Sequence, residues 1–143
     1  MKRDYPDRPI VGVGAVIIEQ GRVLLVRRAT EPLKGEWSIP GGVIELGETL
    51  RAGIAREVLE ETGVTVDVGE VLEVFDRIIP DTGGRTRYHY VLVDFLCRRV
   101  SGEARPASDV SELRWVSAAE LDTFLPADPA ANVIRKGFER SAP

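Results

Sequence analysis

GVIELGETLRAGIAREVLEETGV, the stretch from Gly42 to Val64, closes on three glutamates, Glu57, Glu60 and Glu61, spaced i, i+3 and i+4. If it is helical, the three carboxylates share one face. Like charges at that spacing repel by a few tenths of a kcal/mol per pair, about 0.2–0.5. Glu60 and Glu61 also stand just before Gly63, a helix C-cap signal, where the macrodipole disfavours negative charge. The arrangement makes sense if cations fill the face. Carboxylate oxygens are hard ligands suited to Mg²⁺ or Mn²⁺, and Mg²⁺ commonly bridges protein carboxylates to substrate phosphates.

Thr49 is the expected N-cap, and the spacing predicts a helix over 50–62. Glu57, Glu60, Glu61, Gly53 and Arg56 fall on one arc, and Ile54, Val58, Ala55, Leu59 and Ala52 fill most of the opposite one, the side expected to meet a sheet. Gly53 costs about 1 kcal/mol of helix propensity relative to alanine, which points to close approach of a ligand or loop. Arg56 is placed to pair with a neighbouring acid and hold its rotamer. In front of the helix, Pro40-Gly41-Gly42 reads as a turn. Its glycines leave room for a backbone carbonyl, that of Gly41, to complete a metal shell. Glu45 and Glu48 add carboxylates to the approach.

These residues resemble the Nudix box, G-x5-E-x7-R-E-U-x-E-E-x-G-U with U a bulky apolar residue. Gly42, Glu48, Arg56, Glu57, Val58, Glu60, Glu61, Gly63 and Val64 match every specified position. The flanks VGAVII, GRVLLVRR and GEWSIPGG before the box, and RYHYVLVDFLC and DVSELRWVSAAEL after it, look like bacterial Nudix hydrolases of the ADP-ribose pyrophosphatase-like group. The likeness covers most of Ile10–Leu125. It implies an α/β/α sandwich with a mixed sheet, and hydrolysis of the diphosphate in a nucleoside diphosphate derivative, NDP-X, with Mg²⁺ or Mn²⁺. By position, Glu57, Glu60, Glu61 and the Gly41 carbonyl would hold metal, with one glutamate also a candidate general base. Arg56 would orient the glutamates, and Glu48 would support the loop or reach metal through water. A further acid is expected before Trp115, with Asp109 and Glu112 both open. Within the family, ADP-ribose pyrophosphatases often carry a proline sixteen residues past the box, and Pro80 lies there. The favoured substrate is therefore ADP-ribose, giving AMP and ribose 5-phosphate. The alternatives are a nucleoside triphosphate pyrophosphohydrolase and, from another class, a non-catalytic nucleotide sensor.

Outside the box the candidates are weaker. Trp37 can stack on a base or simply pack. Arg27 and Arg28 end a strand, and strand alternation lets only one of them face a site. Arg85 and Arg87 follow a glycine turn, and either could meet a phosphate. His89 reads as structural, and the single cysteine, Cys97, as a reduced buried thiol.

At 143 residues, 43% apolar and 29% charged, the chain reads as one domain (1–143, with 1–9 an N-terminal extension and the box at 42–64) with a core that needs no staples. One cysteine excludes an intramolecular disulfide framework. A net charge of −4 without a long basic run argues against nonspecific nucleic-acid binding. No apolar run approaches the roughly 18 residues of a membrane span, and the first nine residues lack a signal-peptide core. The expected location is cytoplasmic and the expected partner a small nucleotide, and the family analogy adds a homodimer.

Along the chain, Ile10–Glu19 and Arg22–Arg28 read as strands joined by a hairpin at Gln20-Gly21. Glu31–Glu36 reads as a loop. Thr65–Ile79 is one strand or two, Pro80–Gly84 a turn, Arg87–Arg98 a long strand and Glu112–Val116 a short one. Ser117 with Glu120 is a capping-box signature, and Asp128-Pro129 opens a last helix to about Glu139.

Overall fold

The computed structural model describes residues 2–31, 33–126 and 128–141. The strands are β1 (Ile10–Glu19), β2 (Arg22–Arg28), β3 (Trp37–Ser38), β4 (Gly41–Val43), β5 (Thr65–Pro80), β6 (Thr86–Ser101) and β7 (Val110–Ser117). The helices are α1 (Leu50–Thr62), α2 (Leu121–Phe124), preceded by a 3₁₀ turn, and α3 (Pro129–Ser141). β1 runs parallel to β6, and every other pairing is antiparallel, so the sheet is mixed. Its order is β3-β2-β1-β6-β5, with β4 also on β1 and β7 also on β2.

Local signals account for the ends of the elements. The Thr49 hydroxyl accepts the Ala52 N–H at 3.1 Å, and Gly63 closes α1 in the left-handed region at φ 74°. The hairpin at Gln20-Gly21 puts both residues at positive φ. Ser117 and Glu120 form the capping box, and Asp128 accepts the Ala130 N–H at 2.9 Å at the head of α3.

Alternation along β1 divides the interior. Val13, Ala15 and Ile17 face α1 and meet Ile54, Val58, Val93 and Phe95. Val16 faces the other way and meets Leu72, Leu121, Leu125 and Ile134 under α2 and α3. Helices therefore cover both faces of one sheet, the expected sandwich.

Two local expectations are corrected, and one open alternative is decided. Pro40-Gly41-Gly42 is not a free turn: Gly41 and Gly42 belong to β4, paired with Gly14 and Val13. A Cβ on Gly41 would run into the Val13 carbonyl oxygen, so glycine permits the pairing. Thr65–Pro80 is one strand whose alternation is broken by bulges between Val68 and Glu73. The buried side of α1 is also turned from the apolar arc: Leu59 is 53% exposed, while Gly53 and Glu61 are buried with Ile54 and Val58. The 44–48 segment folds back onto the helix at Gly53, so that Ile44 and Glu48 occupy the space a Cβ there would take, and Glu61 is held against Gly41 of β4.

The first residues are tied down. Tyr5 donates its hydroxyl to Asp81 at 2.8 Å and its N–H to the Arg87 carbonyl at 2.8 Å, and Asp4 pairs with Arg87 at 2.9 Å. No helix among the described residues is long and apolar enough to cross a membrane.

Candidate active site

α1 meets β4 along a seam of acids. Glu61, in the last turn of α1, is only 7% exposed, and its Oε2 accepts the Gly41 N–H at 3.3 Å. Glu57 lies one turn earlier, its carboxylate in the space a Cβ on Gly42 would fill. The two glycines thus do different work: Gly41 admits the strand pairing, and Gly42 admits the Glu57 carboxylate.

Burial and neighbouring charge set the electrostatics. Desolvation pushes the Glu61 carboxyl up to about 8, helped by the negative charge of Glu57 and opposed by the Gly41 N–H. Glu57 is also raised, mainly by desolvation and against the pull of Arg56. The charge of Asp109 raises both glutamates.

Arg56 collects the other carboxylates. Its guanidinium is bidentate to Glu48 at 2.6 and 2.9 Å and reaches Glu57 at 3.0 Å and Glu60 at 3.2 Å. It also donates to the Val43 carbonyl at 3.3 Å. The hydrogen bonds from Arg56 hold Glu48 down at about 2. The Glu60 side chain is 52% exposed, the most accessible of the box acids on α1. Among the described residues no three acidic, imidazole or thiol side chains are grouped so as to hold a metal ion by themselves. The donor chemistry nonetheless suits a hard cation. Glu61 and Glu57 are close and short of solvent, so a divalent ion between them would offset the desolvation that mainly raises both.

The structure separates the remaining candidates. Asp109 stands beside the acids because the loop from Gly102 to Asp109 lies across the end of α1. There the Ala107 N–H bonds to the Glu61 carbonyl at 3.0 Å and the Arg105 N–H to that of Thr62 at 2.8 Å. Glu112 instead pairs with Arg27 at 3.5 Å and Arg114 at 3.4 Å. Arg27 also donates to the Gly35 carbonyl at 2.9 Å and lies 5.9 Å over the Trp37 ring. Trp37 meets Phe124 edge-on at 5.3 Å on the α3 face. Arg28 is half-buried beside the 33–36 loop, its backbone paired with Glu36.

Arg85 and Arg87 are not brought to the acids. Arg87 lies seven residues along β6 from the strand row that contains Gly14 and Gly41, about 20 Å at strand rise. Arg85 stacks over Tyr5 at 4.5 Å. Cys97 is buried, and desolvation lifts its thiol to about 12, leaving it inert at neutral pH. One buried acid escaped the sequence reading, Asp94, 5% exposed in the middle of β6. Its signal was an aspartate interrupting the apolar run YVLVDFLC.

Comparison with known proteins agrees with this layout. A NUDIX domain model matches residues 8–139. A MutT-like protein of Streptomyces ambofaciens is 38% identical over 76% of this chain and 63% of its own, and an ADP-ribose pyrophosphatase of Methanocaldococcus jannaschii is 34% identical over 79% and 64%. The chain therefore spans just under two thirds of those two relatives. A putative 8-oxo-dGTP diphosphatase 2 of Mycobacterium tuberculosis is 40% identical over 83% of this chain and 82% of that one. Among solved structures, a MutT NUDIX hydrolase from Burkholderia pseudomallei superposes with a TM-score of 0.74 at 30% identity, covering 95% of this chain and all of that one. The NUDIX domain of Shewanella oneidensis NrtR, solved with ADP ribose, shares the fold with a TM-score of 0.73 at 24% identity, over 96% and 91%. By its box, its sheet and these relatives, the chain belongs to the NUDIX domain family.

Proposed function

We propose that this chain is a divalent-metal-dependent pyrophosphohydrolase that splits the diphosphate of a nucleoside diphosphate derivative. The observation that carries this reading is the buried Glu61 carboxylate, set against Glu57 and the Gly41 N–H where α1 meets β4. Isolated acids on a solvated helix face would not be driven into the interior beside each other.

Nudix hydrolases generally use divalent metals, and here Glu57, Glu60, Glu61 and the Gly41 carbonyl would hold them. A bound cation supplies neutralisation of phosphate charge and activation of a water nucleophile. Arg56 sets the rotamers of Glu57 and Glu60 and is itself anchored by Glu48. Asp109 adds a further carboxylate at the rim. Water attacks one phosphorus, the anhydride P–O bond breaks, and one of the box glutamates takes the proton from the water. The Glu57–Glu61 pair supports the diphosphate chemistry and does not choose X, since it would meet only the part all such substrates share.

ADP-ribose, giving AMP and ribose 5-phosphate, is the favoured substrate, supported by Pro80 and by the relative named for that activity. Nucleoside triphosphate cleavage to a monophosphate and pyrophosphate is the second reading. It is supported by the relative named 8-oxo-dGTP diphosphatase, which matches over more of its length. The test is turnover by purified protein with Mg²⁺ across ADP-ribose, nucleotide sugars, dinucleoside polyphosphates and nucleoside triphosphates, with products identified. Inert ADP-ribose beside rapid triphosphate cleavage would overturn the substrate choice, and no turnover of any would overturn the enzyme.

A further inference from the structure

On the α3 face of the sheet, Asp94 is 5% exposed in the middle of β6, flanked by β1 and β5. Among the described residues no hydrogen-bond donor or cation reaches its carboxylate. Every fully sealed side-chain nitrogen or oxygen among those residues has a partner, so the Asp94 oxygens keep a narrow opening to solvent. An acid held this way is costly, because a carboxylate taken from water has nothing to receive it.

The surroundings indicate what could receive it. Val93 and Phe95 turn toward α1, so Asp94 turns the other way. Its Oδ1 lies where a Cβ on Gly14 would be, against Ile39. α3 covers the far part of this face, with Gly137 set on Val16, Ile18 and Leu72. Nearer Asp94, the partly buried Ile39 and Phe75 leave an apolar surface. Among the described residues the charged group facing Asp94 is Glu73, its register partner on β5, which Lys136 of α3 reaches at 3.5 Å. Asp94 also shares a cross-strand row with Gly14 and Gly41. It therefore stands two strand spacings, about 10 Å, from the residue whose N–H holds Glu61. That separation is on the scale between the phosphates and the base of one nucleotide.

We propose that Asp94 is the base-reading residue of this chain, its carboxylate accepting N–H donors from the edge of a purine laid against Ile39 and Phe75. Two acceptor oxygens match guanine, which presents two adjacent donors, and adenine offers one through its exocyclic amine. Desolvation and the charge of Glu73 raise the Asp94 carboxyl to about 6, the response of an acid lacking a partner. The inference deepens the nucleotide reading above and rests on it for the placing of the phosphates, while the base contact can be tested alone.

The experiment titrates adenosine and guanosine, without phosphate or metal, into wild type, Asp94→Asn and Asp94→Leu, followed by amide chemical shifts. The expected result is binding of at least one nucleoside with shifts on β1 and β6, weakened at least about tenfold in Asp94→Asn and lost in Asp94→Leu while both variants keep the wild-type amide dispersion. In the turnover assay, Asp94→Asn should raise KM with kcat little changed. Equal binding by all three proteins, or none by wild type, would overturn the proposal, as would variants that change only thermal stability. Base binding without turnover would sink the hydrolase reading and leave Asp94 standing. Turnover with KM unmoved in Asp94→Asn would do the reverse.

Discussion

The carboxylate of Glu61 accepts the backbone N–H of Gly41 at 3.3 Å, tying the last turn of α1 to a strand twenty residues earlier. This contact turns a row of acids on a helix into a defined seam, because it fixes one carboxylate in the interior where its neighbours must be neutralised.

Replacing Glu61 by glutamine removes the charge and keeps the shape and the Gly41 contact. The fold should persist, since a neutral side chain suits a buried place better than an ionised one. Turnover should fall at least about a hundredfold. Near-wild-type kcat in Glu61→Gln would reject the role assigned to this residue.

Metal binding should depend on pH through the same group. The folded carboxyl lies near 8 against 4.5 unfolded, so without metal its contribution to stability is fully present below 4.5 and is lost as pH rises through 8. A cation needs the ionised form. The rise in melting temperature caused by Mg²⁺ should therefore be larger at pH 8.5 than at pH 6.5. A pH-independent rise, measured by calorimetry, would contradict this.

Asp94 gives a stability effect of the same sign. Its folded carboxyl is raised to about 6 from 3.8, so its stabilising contribution is complete below 3.8 and disappears as pH rises through 6. Asp94→Asn should stabilise the protein relative to wild type more at pH 8 than at pH 5, by on the order of 1 kcal/mol. Parallel stability-against-pH curves would refute it.

Arg56 holds Glu48, Glu57 and Glu60 together. Arg56→Ala should cost about 2 kcal/mol of stability and more than tenfold in kcat/KM, because charge-assisted hydrogen bonds are lost and three carboxylates are left to repel. Arg56→Lys keeps the charge without the planar fork and should recover stability more than activity. Equal recovery of both would mean that the fork does not set the rotamers.

Gly42→Ala separates site from scaffold. The atoms nearest the added methyl are the end of the Glu57 side chain, which can swing aside. Activity should drop by about tenfold or more while the melting temperature moves little. A large loss of stability with unchanged kcat in the residual folded protein would reverse that reading. As a companion test, Asp109→Asn should lower activity and Glu112→Gln should not, since only Asp109 adds its charge to the Glu57–Glu61 pair.

Much of this was local and therefore legible. Thr49, Gly63, Gln20-Gly21, the Ser117 capping box and Asp128-Pro129 each act within four residues, so their elements fall where backbone chemistry puts them. The box spelled out the family, the sandwich and the candidate acids before any contact was known. β3 and β4 were not legible, because strands of two or three residues exist only through the neighbours that pair with them. The burial of Glu61 was hidden for a similar reason. Helical periodicity assigns faces for a helix touched on one side, whereas α1 also meets the 44–48 segment at Gly53 and, at Glu61, Gly41 of β4 and the 102–109 loop, while Leu59 stays exposed. The place of Asp109 beside the acids depends on a loop crossing the end of α1, and that of Asp94 on the register of three strands. Residue order alone determined which family the chain belongs to and which acids it offers. Tertiary packing decided which carboxylates lose water, because desolvation depends on everything that surrounds a side chain and not on its neighbours in sequence.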